Sequence, residues 1–198
     1  MLRKIRLLRR FKRDAGGLAA VEFAFVLPVM LAMLFGMGEL SLAVFARTSI
    51  SQVASTVTDL VAQKSTLTSS DISSVYAAAN TLLYPYYPQM SSGKPAIRIA
   101  SVIFDTATNS TTVGKVAWVC KQDGNATQSP AALVVNNTVT FSQPLLSAGS
   151  SVIVVDVAYS YVSPTMQVIT GAFNMRDRFQ TKPRRVAQIP APTSCPTS

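Results

Sequence analysis

Histidine is absent from the 198 residues. That removes the side chain most often used as a general base and most often found on a metal. Cysteine is scarce. Cys120 and Cys195 lie far apart, with nothing like the spacing of a metal-ligand set. Charge is scarce too: 14% of residues are charged and only nine are acidic. Asp105, Asp123 and Asp156 are scattered, and no nucleophile–base pair, phosphate loop or metal cluster is recognisable. No cofactor is expected, and a tethered enzyme is the weakest functional class. No internal repeat is found. A chain of this length holds one extramembrane domain at most once a membrane segment is set aside.

Apolar residues, in contrast, make up 48% of the chain, and with so little charge the mean hydropathy of +0.30 is high for a soluble protein. The net charge of +9 suggests nucleic acid at first sight. Its distribution argues otherwise. Arg3, Lys4, Arg6, Arg9, Arg10, Lys12 and Arg13 all fall in residues 1–17, with Asp14 as the one acid there. Residues 18–198 therefore carry only +3. The basicity belongs to a short leader, and no nucleic-acid partner is expected.

Beyond the leader, Val21 to Ala46 is apolar except for Glu22, Glu39 and Ser41, and reaches the ~20 residues a bilayer requires. Pro28, Gly36 and Gly38 would weaken a soluble helix but are tolerated in membrane helices. From Thr48 the pattern becomes a stripe of Ile50, Val53, Val57, Leu60 and Val61 at three- and four-residue steps. This predicts an amphipathic continuation of the same helix, ending near Lys64. A second helix is predicted from a cap at Ser69 or Ser70, with Asp71 in its first turn and a stripe of Ile72, Val75, Tyr76, Ala79 and Leu83. It should end before Tyr84–Pro88, read as a packed turn. The second half predicts strands: Ala96 to Asp105, a segment around Val116, Trp118 and Cys120, the run from Val152 to Val162, and an edge strand in the charged stretch from Phe173. Ser147 to Ser151 reads as a turn and the proline-rich tail as irregular. The expected fold class is α+β: a long N-terminal transmembrane helix continuing into an amphipathic one, a second helix, and a small antiparallel sheet.

Glu22 is the anomaly, because a carboxylate is costly inside a bilayer. The simplest reading is an uncleaved signal anchor with Glu22 hydrated at the interface. An ordinary signal peptide fits poorly, since the apolar run exceeds the ~7–15 residues of such a segment. A third reading uses spacing. Cleavage after Gly17 would make Leu18 the first residue and Glu22 the fifth, ~6 Å along a helix. The new amine of a neighbouring subunit would then lie near the carboxylate's depth, where opposite charges attract strongly without water. A cut after Gly16 would instead make Glu22 the sixth residue.

The segment from Gly16 to Leu40, GGLAAVEFAFVLPVMLAMLFGMGEL, resembles the N-terminus of the TadE-like pseudopilins of bacterial tight-adherence (Flp-type) pilus systems. The carriers are a basic leader, Gly17, a four-residue gap that starts at Leu18, then Glu22 and Phe23, an apolar run and the early Pro28. The major pilins of these systems usually have Tyr where Phe23 stands. The resemblance implies a pilin-like fold and cleavage after Gly17 by a prepilin peptidase, with methylation of Leu18. It also implies packing through Glu22, Pro28, Gly36 and Gly38 against other pilin-like subunits and assembly proteins. The long domain beyond the helix suits a minor component better than a short major pilin. The expected division is a leader at 1–17, a transmembrane helix at 18–46 and a periplasmic domain at 47–198. Seven cations before the span and Arg47 alone close behind it place the N-terminus in the cytoplasm and the chain in the bacterial inner membrane. The main rival is a never-processed, membrane-anchored interaction or scaffold protein.

Other features receive plainer readings. Glu39, ~25 Å along the helix from Glu22, is expected at the outer surface and on a different face. In an extracytoplasmic domain Cys120 and Cys195 suit a disulfide, two free thiols being the alternative. Arg176, Arg178, Lys182, Arg184 and Arg185 are expected as a solvated edge, with anionic headgroups or an acidic partner as the alternative. Asn109, Asn125 and Asn136 begin short glycosylation patterns that carry no weight in a bacterial chain.

Overall fold

A computed structural model describes residues 16–83, 93–107, 109–124, 126, 133–162 and 171–196. The leader up to residue 15, the Tyr84–Pro88 stretch and Asn125 lie outside the described residues. The chain divides into two compact units, Met1–Leu42 and Ala43–Ser198. Helix α1 spans Gly16–Ala62 and helix α2 Ser69–Leu83. Strands β1 (Ala96–Phe104), β2 (Val113–Gln122), β3 (Thr138–Thr140), β4 (Ser151–Val162) and β5 (Ala172–Thr181) form one antiparallel sheet in the order β3-β2-β1-β4-β5. The class is α+β, as the sequence pattern indicates. β3 carries no strand signal of its own; only its pairing with Val113–Lys115 defines it.

In the second unit, one sheet face packs against the helices. Ala46, Ile50, Val53, Ala54, Val57 and Val61 of α1 are buried with Ile72, Val75, Tyr76, Ala79 and Leu83 of α2. They meet Ile97 and Ile99 of β1, Trp118 and Cys120 of β2, and Ile153, Val155, Val157, Tyr159 and Tyr161 of β4. Leu60, expected in this stripe, sits at the rim and stays 37% exposed. The opposite face carries a second core in which Leu133, Val139, Phe141 and Leu146 cover Ala100, Val102, Val116, Val152 and Val154. β4 is therefore buried on both faces through most of its length, which is why it reads as a near-continuous apolar run.

Two local expectations are corrected. α2 is capped by Thr68 rather than Ser69 or Ser70. The Thr68 hydroxyl accepts from the Asp71 N–H (3.2 Å), and the Asp71 carboxylate accepts from the Thr68 N–H (3.0 Å), a reciprocal capping box. In β2, Val116 and Trp118 look like one face of an alternating strand. The register with β1 slips between Ser101 and Val102, pairing Ser101 with Trp118 but Val102 with Val116. The extra residue, Ala117, is a β-bulge, so Val116 enters the second core and Trp118 the helix-side core.

The tail after β5 is irregular, as expected, yet firmly held. Arg184 N–H donates to Ala62 O (2.9 Å), and Ser151 N–H donates to Ala187 O (2.9 Å). The Trp118 indole N–H donates to Ile189 O (3.0 Å), and Ile189 is buried. Cys195 is bonded to Cys120, with 5.3 Å between their Cα atoms.

Candidate functional site

The first candidate is the N-terminal part of α1. Described residues 19–42 contain no buried side chain; only Gly36 and Glu39 are half-buried. Phe23 is 60% exposed and Phe25 77%. Apolar side chains face outward all round, from Val21 to Leu42. A soluble surface helix has one apolar stripe; exposure on every side belongs to a helix surrounded by lipid or by other helices. Among the described residues this is the one helix long and apolar enough to cross a membrane, which fits a single-pass membrane anchor.

The residues singled out in the sequence take definite places on it. Gly16 and Gly17 form its first turn, where no acidic residue compensates the free N–H groups. Glycine is ~1 kcal/mol poorer than alanine in a helix, so this is the turn most easily unwound. At ~100° per residue, Leu18, Glu22 and Gly36 fall within ~40° of one side of the helix. Glu22 is exposed, as is Pro28, which has no N–H to give to the carbonyl four residues back, that of Ala24. A Cβ added at Gly36 or Gly38 would meet nothing within 4 Å. The two glycines point to opposite sides, so a single helix–helix seam uses one of them and not both.

The second candidate was missed in the sequence. Asp156, read there as a scattered carboxylate, is fully buried on β4. Arg176 grips it side-on through Nε (2.7 Å) and a terminal nitrogen (2.5 Å), and Arg178 adds two bonds to Oδ2 at 3.0 and 2.9 Å. Two arginines expected on a solvated edge are thus ion-paired, and the bonds that Arg176 donates to Asp156 raise its pKa above the ordinary value. The signal was present as two arginines at alternate positions of a strand, but their partner lies twenty residues earlier and only the β4–β5 register aligns them. Both carboxylate oxygens are occupied by guanidinium donors. The cluster is suited to fixing an edge strand rather than to moving protons. Arg184 pairs with Asp59, while Lys182 and Arg185 are exposed. A shallow cleft of about 550 Å³ lies beside Cys195, with Arg98, Lys121 and Asp123 on a wall that is otherwise largely apolar. No cluster of metal-ligating side chains is found among the described residues.

Comparison with known proteins bears on the first candidate. The family model for TadE-like proteins matches residues 17–59. This N-terminal segment is similar to TadE-like proteins. The match begins at Gly17, covers the bare apolar helix, and ends within the amphipathic part of α1 before α2 is reached. TadE-like proteins are components associated with pili rather than a family of enzymes. No curated protein and no solved structure matches the chain.

Proposed function

We propose that the protein is a minor, pilin-like component of a tight-adherence pilus assembly system. The carrying observation is the TadE-like match over 17–59, on a helix whose apolar surface is uncovered on every side. In this reading residues 1–17 are a cytoplasmic leader, 18–46 span the inner membrane and 47–198 form a periplasmic domain. The helix turn beginning at Ala43 is shared with the domain core, since Ala43 and Ala46 pack there. Seven cations before the span favour this orientation, and the disulfide favours an oxidising compartment for the domain.

A prepilin peptidase needs an extended chain at the bond it cuts. The Gly16–Gly17 turn supplies it at low cost. Cleavage after Gly17 frees the Leu18 amine on the side of the helix that carries Glu22. In a bundle of such helices the Glu22 carboxylate of one subunit pairs with the Leu18 amine of the next. Removing one member of a poorly hydrated charge pair costs ~3–5 kcal/mol, because the other is left uncompensated.

The test is expression of two variants in a pilus-forming host. Gly17→Ala should keep the leader and yield a protein heavier by those 17 residues. Glu22→Ala should insert normally, since it removes a membrane cost, but recover fewer pilin-like subunits on purification and reduce piliation. Normal piliation and partner recovery with Glu22→Ala would leave the unprocessed membrane-anchored scaffold as the better reading.

A further inference from the structure

The sheet of the second unit ends in two unlike edge strands. β3 is three residues long, too short to template a partner of any length. β5 has ten residues and pairs on one side only, with β4. A long edge strand is a ready site for another chain to add to. The register fixes which of its main-chain groups face outward. Phe104 N–H donates to Ser150 O (3.2 Å), one step beyond the last β1–β4 pair, Ile103 with Ser151. Even-numbered residues of β4 therefore bond to β1, and odd-numbered ones bond to β5. In β5 the odd partners, Phe173 to Thr181, turn their N–H and C=O toward β4. Asn174, Arg176, Arg178 and Gln180 turn theirs outward. Two contacts agree with this parity, and both fall at the centre of the edge. Arg47 of α1 donates from Nη1 to Arg176 O (2.6 Å). Arg178 N–H donates to Oδ1 of its neighbour Asp177 (2.9 Å). An added strand needs that acceptor and that donor, and both are taken. Charge acts in the same sense. In an antiparallel pair of two such edges centred between 176 and 178, Arg176 or Arg178 faces one of the same two arginines. Asp156 neutralises only one of them in each copy, so two positive clusters meet at the seam, which is destabilising.

We propose that Arg47 and Asp177 are edge guards, which close β5 to strand addition by a second copy of this chain. Each occupies one outward main-chain group that a new ladder requires, one from the helix and one from within the strand. With both in place the domain does not join its own kind sheet to sheet, and association is left to other surfaces. This goes beyond the pilus reading and does not depend on it, since every group involved lies in the second unit.

The test compares three full-length proteins by sedimentation equilibrium in one detergent, with circular dichroism as the check on folding. They are the wild type, the double variant Arg47→Ala with Asp177→Ala, and that variant carrying Gln180→Pro as well. Association through α1 is common to all three and cancels in the comparison. The double variant should self-associate more tightly than the wild type, on the order of tenfold or more, because two main-chain groups per copy are freed to pair. Gln180→Pro should return it to the wild-type value. Proline cannot donate to a new ladder, and the N–H it removes is not one that bonds to β4. A double variant that associates no more tightly than the wild type overturns the proposal. Tighter association that Gln180→Pro leaves in place overturns it too, since another surface is then responsible. If the double variant does not fold, Arg47→Ala and Asp177→Ala singly carry the same comparison. Asn174→Pro, at another outward N–H, replaces Gln180→Pro if that change prevents folding.

Discussion

Asp156 shows how much one carboxylate can decide. It is fully buried, while its two arginines remain about a third exposed. The two sides of the pair therefore respond differently to mutation. Asp156→Ala frees arginine heads that can turn to water, and should cost ~1–3 kcal/mol of lost charged hydrogen bonds. Arg176→Ala combined with Arg178→Ala strands a carboxylate in the sheet and should cost ~3–5 kcal/mol. Denaturant titration of the three proteins in one detergent checks the order; a costlier Asp156→Ala would contradict it. Tyr76 makes a second residue-level case. Its hydroxyl is buried with no hydrogen-bond partner among the described residues. Burial, with a smaller contribution from Asp123, raises its pKa well above the ordinary value. Above pH ~10 the unfolded chain then releases a proton that the folded one keeps, so stability falls as pH rises. Tyr76→Phe should flatten that alkaline decline and leave neutral-pH stability unchanged or higher. An equally steep decline in the variant would show that Tyr76 is not its source. Asp71 has its pKa lowered by Lys64 first and then by Thr68, so its support of the α2 cap is kept at neutral pH and lost in strong acid.

At the scale of elements, both helices and four of the strands could be read from periodicity, because one buried face imposes a repeat of 3.6 or 2 on the residues. The stripe from Ile72 to Leu83 is buried at every expected position. Missing from the sequence was whatever depends on a distant partner: the bulge at Ala117, the three-residue β3 and the Asp156 clamp. The apolar anchor was legible because it depends on composition alone. Gly124 belongs to the non-local class. A Cβ there would collide with the backbone of Lys94 to Ala96, which cannot rotate away. Gly124→Ala should therefore destabilise more than Gly149→Ala, where φ is +74° but space is open and the strain is ~1–2 kcal/mol. Equal midpoints for the two variants would contradict this. The C-terminal tail has its own reporter. Reduction of Cys120–Cys195 removes a cross-link over 75 residues, worth at most ~4.5 kcal/mol by chain entropy. Trp118 hydrogen-bonds that tail, so the Cys195→Ser variant should lower the unfolding midpoint and broaden or red-shift Trp118 emission. Unchanged emission and midpoint would mean that the hydrogen bonds and Ile189 alone hold the tail.

At the scale of the whole molecule, the features divide by unit. The second unit has two apolar cores, a clamped edge strand and a cross-linked tail, the construction of a self-sufficient domain. The described part of the first unit has no core and exposes its apolar side chains in full. An apolar surface of that kind is at home in contact with lipid or with similar helices, which fits a single-pass membrane anchor. The central claim is that the chain is processed to begin at Leu18, placing a new amine beside Glu22. Intact-mass analysis of the protein from its native membrane tests this most directly. The account predicts a mature chain lacking residues 1–17, with or without one added methyl group. A mass that retains Met1, or the whole leader, would contradict it.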